Sequence, residues 1–129
     1  MTSYIVDAYA WIEYFRGSKK GEPFKKLLMS EAIAFISVEC TIAEVRLWAI
    51  RNTIDFDKLF VVMKANSSFS PVTLHDWIEA AAIRQEMRKT RERFGLIDAL
   101  LLVKQKEQRC HIITGDPHFK GLPSITYLV

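Results

Sequence analysis

Four acidic residues, far apart in the sequence, stand where apolar strand-like segments give way to turns or helices. Asp7 follows "YIV", Asp98 opens "LIDALLL", and Asp116 follows "HIITG" and precedes a proline. Glu44 lies early in the helix-like segment after "AIAFIS". Carboxylates gathered at one place repel one another unless a cation lies between them, and hard divalent ions prefer oxygen ligands. A site of this kind can lower the pKa of a bound water and orient in-line attack on phosphorus.

We therefore predict a Mg²⁺ or Mn²⁺ site built from Asp7, Glu44, Asp98 and Asp116. Each acid also has an ordinary structural explanation. Asp7 could cap a helix, Asp98 could complement a helix dipole, and Asp116 could stabilise an Asx turn. The segment from Thr41 to Glu44 fits a capping box. The metal site is favoured because all four acids are predicted at the same edge of one sheet.

The segments that would position these acids alternate between short apolar strands and helices. We predict strands over 4–6, 32–37, 70–74, 111–114 and 124–129. Predicted helices follow residue 7, begin near residue 24, and cover 40–52, 56–66, 75–93 and 96–108, with Gly95 ending the fifth. Strands that are apolar on both faces indicate a parallel sheet covered by helices, so the expected fold class is α/β. In such a sheet the carboxyl ends of the strands share an edge.

The composition is that of a globular domain. Of 129 residues, 50% are hydrophobic and 26% are charged, which excludes a disordered chain. We expect one domain over 1–129. Because no apolar run approaches the ~18 residues of a membrane span and the N-terminus lacks a signal-peptide pattern, we expect no membrane association. Cys40 and Cys110 stand among apolar residues without metal-ligand spacing, which favours reduced core thiols and a cytoplasmic protein.

The positive charge is mild overall but concentrated in one place. The net charge is +3, and a basic run occupies residues 84–93. This run could be a solvated helix face or a surface that contacts phosphates, and the sequence leaves both open.

Large apolar side chains on the first, third and fourth helices raise the question of a second copy of the chain. They could form a hydrophobic dimer face or lie buried within one copy, and both explanations stay open. These side chains are Trp11, Tyr14, Phe15, Trp48 and Phe60.

Taken in order, four segments resemble the PIN-domain family, and specifically the VapC-type toxin ribonucleases. They are "YIVDAYAWIEYF", "FISVECTIAEV", "GLIDALLL" and "IITGDPHF". The resemblance implies a three-layer α/β/α fold with a mainly parallel sheet, and Mg²⁺- or Mn²⁺-dependent endoribonuclease activity on RNA. It places the acidic quartet of the family on Asp7, Glu44, Asp98 and Asp116, with the Thr114 hydroxyl in support. It also implies a homodimer and a small antitoxin whose segment wraps the active-site groove.

The chain departs from this pattern just after the first acid. Relatives often carry Ser, Thr or Asn within two residues of it, whereas Ala8 and Tyr9 stand here, so help for Asp7 from those positions is not expected. His118 is close enough to Asp116 to touch a substrate, although a surface histidine is the commoner case. The alternative function is a non-catalytic module that binds nucleic acid or protein, and the complete acidic quartet argues against it.

Overall fold

The computed structural model describes residues 2–129, in which five parallel strands form one sheet in the order β3-β2-β1-β4-β5. The strands are β1 (Thr2–Val6), β2 (Ile33–Val38), β3 (Ser68–Ser70), β4 (His111–Thr114) and β5 (Ile125–Tyr127). The helices are α1 (Ala8–Arg16), α2 (Glu22–Leu28), α3 (Glu39–Arg51), α4 (Phe56–Asn66), α5 (Leu74–Met87) and α6 (Leu96–Gln108). Short 3₁₀ turns cover Lys19–Gly21 and Pro117–Phe119.

Alternating residues of the central strands pack into two hydrophobic cores, one on each face of the sheet. Ile5 and Ile112 pack in the core that contains α5 and α6. Val6 and Ile113 pack in the core that contains α1 and α2 and residues of α3 and α4. All four side chains are fully buried. The predicted α/β fold with a parallel sheet between two helical layers is therefore confirmed.

The strand order places a topological switch point between the neighbouring strands β1 and β4. From β1 the chain winds to β2 and β3 on one side, and then crosses through α5 and α6 to β4 and β5 on the other. Loops that leave two adjacent strands in opposite directions open a crevice at the carboxyl ends of the strands. Asp7 directly follows β1, and Asp116 lies two residues after β4, so both border this crevice.

Two predicted boundaries are wrong. The strand expected over 70–74 is instead Ser68–Ser70, because Pro71 has no N–H to donate and Thr73 already caps the next helix. The helix expected over 75–93 ends at Met87, and residues 88–94 form turns. Gly95 does not end that helix, because it is the residue at which α6 is capped.

The capping box considered as an alternative explanation for Thr41 and Glu44 does not form. Helix α3 begins at Glu39, and the residue before it, Val38, has no side chain that could cap. Thr41 is the third residue of the helix and is buried, with a hydroxyl that has no hydrogen-bond partner. Glu44 therefore projects from the second turn instead of closing the first.

The large apolar side chains considered for a dimer face mostly pack within the chain. Trp11 is fully buried and its indole N–H donates to Ser37 Oγ. Tyr14 and Phe15 pack against the same core, at ring distances of 6.3 and 5.6 Å from Trp11. Because Trp11, Tyr14 and Phe15 pack within one copy of the chain, they do not provide evidence for a dimer face.

A buried ion pair joins α5 to α6. Lys104 Nζ lies 2.7 Å from Asp76 Oδ2, and both residues are almost completely buried. Asp76 also accepts a hydrogen bond from the Thr73 N–H at the start of α5, and Lys104 reaches Glu107 at 3.3 Å. Asp76 thus stabilises the start of α5 and also neutralises a buried ammonium group from another helix.

We expect Lys104→Met to lower the free energy of unfolding by about 3–5 kcal/mol, because it leaves the Asp76 carboxylate buried without a counter-charge. Adding Asp76→Asn should recover part of the loss, since the second change removes that charge. Urea denaturation of the single and double variants measures both effects. Lys106→Met, on the exposed side of α6, is the matched control and should change stability by less than about 0.5 kcal/mol. A loss below about 1 kcal/mol for Lys104→Met would contradict the assignment.

Candidate active site

All four acids singled out from the sequence line one pocket of about 440 Å³ at the carboxyl edge of the sheet. Four different segments supply them: the turn after β1, the second turn of α3, the first turn of α6 and the turn after β4. The pocket gathers Asp7, Glu44, Asp98 and Asp116 from across 110 residues of sequence, because each of those segments ends or begins at the same edge.

Asp7 is buried and held at both carboxylate oxygens. Its Oδ1 accepts from the Ala8 N–H at 2.7 Å, which makes it the N-cap of α1. Its Oδ2 accepts from the Thr114 hydroxyl, also at 2.7 Å. The same hydroxyl oxygen accepts from the Asp116 N–H at 3.0 Å. Thr114 therefore links the two acids on either side of the switch point and provides the hydroxyl that positions 8 and 9 lack.

Tyr9 has a different role, because its ring packs on the chain just before Asp116. A Cβ atom at Gly115 would collide with the Tyr9 ring, so only glycine fits there. The Tyr9 hydroxyl accepts from Lys20 Nζ at 3.2 Å. The Tyr9 ring therefore packs directly against the backbone at Gly115.

Asp98 and Asp116 both contact the imidazole ring of His118. Asp98 Oδ2 accepts from the Gly95 N–H at 2.8 Å and lies 2.9 Å from His118 Nδ1. Asp116 Oδ1 accepts from the His118 N–H at 2.9 Å and lies 3.5 Å from the same ring nitrogen. His118 is therefore not an isolated surface histidine, since its imidazole contacts both carboxylates.

Glu44 is the acid with the fewest internal contacts. Its Oε1 atom is buried and has no hydrogen-bond partner among residues 2–129. An unpaired oxygen in a buried position is costly, so such an atom indicates a ligand that would complete it. This is the strongest sign in the pocket that a cation binds here.

The charges in this pocket disfavour one another. Burial, and then the nearby carboxylates, raise the pKa of Glu44 to about 7. Burial, opposed by the Thr114 hydrogen bond and reinforced by Asp116, raises the pKa of Asp7 to about 6. Burial also raises the pKa of Asp98, with Asp116 acting in the same direction. Carboxylates with raised pKa values, grouped in a cleft, are typical of a functional site.

Oxygen donors of this kind fit Mg²⁺ or Mn²⁺. Among residues 2–129, no lysine or arginine forms an ion pair with any of the four acids, and the basic side chain that contacts two of them is the imidazole of His118. The ligand atoms of Asp98, Asp116 and His118 lie within 4.8 Å of one another. Glu44 Oε1 adds an oxygen that nothing else satisfies. The donor set therefore suits a hard divalent ion.

Two arginines of the basic run at 84–93 stabilise turns next to this site. Arg91 Nη1 donates to the His118 carbonyl at 3.1 Å, and Arg88 Nε donates to the Phe94 carbonyl at 2.7 Å. These two arginines hold the turns that lead into α6 and follow Asp116. The run is not the face of a single helix, since α5 ends at Met87.

Sequence reasoning missed three further features of the pocket: the His118 contact with Asp98, and the two α3 residues Trp48 and Arg51. The histidine contact joins residues 20 positions apart and leaves no local signal. Trp48 and Arg51 follow Glu44 by four and seven residues, so helical spacing would have indicated that they share its face.

We expect Glu44→Gln to stabilise the metal-free protein at pH 8 by about 1–2 kcal/mol after allowance for solvent screening, because it removes a largely buried charge that the neighbouring carboxylates also repel. Folded Glu44 releases its proton near pH 7 instead of 4.5, so the wild type loses stability as the pH rises between these values. The gain should therefore shrink below pH 5.

Thermal unfolding in EDTA at pH 5 and pH 8 measures this difference. Glu79→Gln, on the exposed face of α5, is the matched control and should have no effect at either pH. An equal gain for Glu44→Gln at both pH values, or a loss at pH 8, would contradict the assigned repulsion.

Comparison with known proteins agrees with this architecture. The PIN domain family model matches residues 4–124. Among proteins with curated functions, none is significantly similar to this chain in sequence. One similar structure is a toxin–antitoxin complex from Klebsiella pneumoniae, with TM-score 0.75, 18% identity and 98% of each chain covered.

Two other solved structures share the fold. Mycobacterium tuberculosis VapC20, described as a Sarcin-Ricin loop cleaving toxin, has TM-score 0.76 at 14% identity over 94% of this chain and 95% of that one. Rickettsia felis VapBC2, bound to a DNA fragment from its promoter, has TM-score 0.72 at 11% identity over 98% and 97%. With a family model that spans almost all of its length and a fold that these structures share, the chain belongs to the PIN-domain family.

Proposed function

We propose that this protein is a Mg²⁺- or Mn²⁺-dependent endoribonuclease, and that it is the toxin of a toxin–antitoxin pair. The observation that carries the proposal is the pocket itself. Four carboxylates from four segments line it, and the buried Glu44 Oε1 has no partner among residues 2–129. The proposal treats 1–129 as one nuclease domain.

Asp7, Glu44, Asp98 and Asp116 would hold the metal. When bound, a divalent ion supplies an activated water and neutralises charge on a phosphate. The residues of the chain fix the ligands in place. Thr114 orients Asp7, while Gly95 and His118 orient the Oδ2 atom of Asp98 and leave its other oxygen free.

The N-termini of α1 and α6 also face this edge of the sheet, since these helices begin at Ala8 and Leu96. Their dipoles favour a negatively charged group there. A phosphodiester is therefore a suitable substrate group, because it brings negative charge to a place with positive helix ends and a bound cation.

RNA is the substrate that the proposal names. The related VapC20 is described as cleaving the Sarcin-Ricin loop, and the net charge of +3 suits a polyanionic partner. An RNA target and two unpaired cysteines also suit a cytoplasmic location, which the proposal includes. Among residues 2–129, no helix is long and apolar enough to cross a membrane.

A protein antitoxin is the proposed regulatory partner, since two of the similar structures are toxin–antitoxin complexes. An apolar groove of about 550 Å³ lies on the neighbouring stripe of α3, where Ile42 meets Phe56, Phe60 and Phe69. An apolar segment of an antitoxin would fit this groove. A homodimer is also proposed, and the exposed side chains of Leu74 and Ile78, four residues apart on α5, support it.

We expect Asp98→Asn to reduce RNA cleavage by about 100-fold or more while the fold persists, because it removes a charged ligand of the proposed metal. Excess EDTA should abolish cleavage by the wild type. The measurement is sequencing of RNA ends after incubation with Mn²⁺, with Asp57→Asn on the exposed first turn of α4 as the matched control.

Cleavage that survives both Asp98→Asn and EDTA would rule out the metal mechanism. A non-catalytic binding module would instead bind RNA without cutting it, and Mn²⁺ would not raise its melting temperature. The two functions are therefore separable in one set of measurements.

Thr114→Val should lower cleavage by about 10–100-fold, because Asp7 loses the hydroxyl that orients it and Asp116 loses an acceptor for its N–H. The substitution keeps the side-chain shape, so circular dichroism should remain unchanged. Thr90→Val is the matched control, since Thr90 is exposed in the turn after α5 and outside the pocket, so its hydroxyl should not affect cleavage. Equal activity of the two variants would show that Thr114 does not support the site.

A further inference from the structure

One face of α3 carries three different chemical groups in a row. Glu44, Trp48 and Arg51 follow one another at helical spacing, and all three line the acidic pocket. At about 1.5 Å of rise per residue, Trp48 lies roughly 6 Å and Arg51 roughly 10 Å beyond Glu44 along the helix axis. An aromatic surface and then a cation therefore extend from the place where the metal is proposed to bind.

The Trp48 indole is not explained by core packing. Trp48 is half-buried, yet it belongs to neither hydrophobic core and forms no ring pair with another aromatic residue among residues 2–129. Trp11 is the opposite case, since it is fully buried, stacks on Phe15 and donates its N–H to Ser37. Trp48 thus presents an aromatic surface to the pocket.

Arg51 is similarly available to a ligand. It is exposed at the last turn of α3 and forms no ion pair with any residue from 2 to 129, although four carboxylates line the same pocket. A guanidinium group can bind phosphate oxygens through two parallel hydrogen bonds. Its charge would also offset the repulsion between the acidic pocket and an approaching polyanion.

We propose that Trp48 and Arg51 form the side of the pocket that binds single-stranded RNA. The indole stacks on the base next to the scissile phosphate, and the guanidinium binds the phosphate one nucleotide further along. This inference rests on the proposed function and names residues that hold its substrate. Stacking on an aromatic side chain combined with a nearby cation binds single strands with little regard to sequence.

The test uses the Asp98→Asn protein, so that RNA is bound without being cut. Trp48→Leu should weaken binding of a short unstructured RNA by about 10-fold, whereas Trp48→Phe should retain most of the affinity. RNA should quench tryptophan fluorescence in the parent protein and much less in Trp48→Phe. Trp77→Leu, on α5 and outside the pocket, is the matched control and should bind and quench like the parent.

Arg51 is tested by the salt dependence of binding. Arg51→Gln should make the slope of log affinity against log salt shallower by about 0.7, the value for one phosphate contact on a single strand. Lys106→Gln also removes one positive charge, but from an exposed position on α6 outside the acidic pocket, and should leave the slope unchanged. In the active protein, Trp48→Leu and Arg51→Gln should raise KM and leave kcat nearly unchanged.

The outcomes separate this inference from the proposed function. If the wild type cleaves RNA while Trp48→Leu and Arg51→Gln bind it normally, the inference fails and the nuclease stands. If Trp48→Phe loses as much affinity as Trp48→Leu, the indole has only a packing role and the inference also fails. A wild-type protein that neither binds nor cleaves RNA would overturn both.

Discussion

Repulsion among four carboxylates in one pocket is the constraint on which the site depends. Left to themselves these groups would separate or take up protons, and burial together with this repulsion raises the pKa values of Asp7 and Glu44. The fold opposes this repulsion with hydrogen bonds, which hold Asp7 through the distant Thr114 and Asp98 through the nearby Gly95. The strand order then decides where the acids meet, because the crevice opens beside β1 and β4.

The parts of this fold that the sequence predicted well are those with strong local patterns. Helix α4 and strand β4 have the predicted bounds, since apolar runs there are bounded by turn residues. The start of α3 was predicted at residue 40, one residue late, because Val38 carries no capping side chain that would mark it. Strand β3 was displaced because its three residues, Ser-Phe-Ser, contain little that marks a strand. A local sequence pattern gave the correct boundary only where the fold forms the same turn or cap that the pattern predicts.

The candidate pocket could be predicted as a gathering of acids but not as a network of contacts. Topology brings strand ends together whatever the details of packing, which is why Asp7, Asp98 and Asp116 could be placed from the sequence. The contact of His118 with Asp98, the hold of Arg91 on the His118 carbonyl and the buried pair of Lys104 with Asp76 depend on tertiary packing. Such contacts have no periodicity and no motif.

The hydrogen bond from Thr114 to Asp7 spans 107 residues of sequence, and this has a consequence for synthesis. During translation β1 emerges early. Its edge that pairs with β4 stays unpaired until residues 111–114 have left the ribosome. Contacts between such distant segments form late and slowly. A nascent chain therefore lacks the complete pocket until the segment that carries Thr114 and Asp116 has left the ribosome.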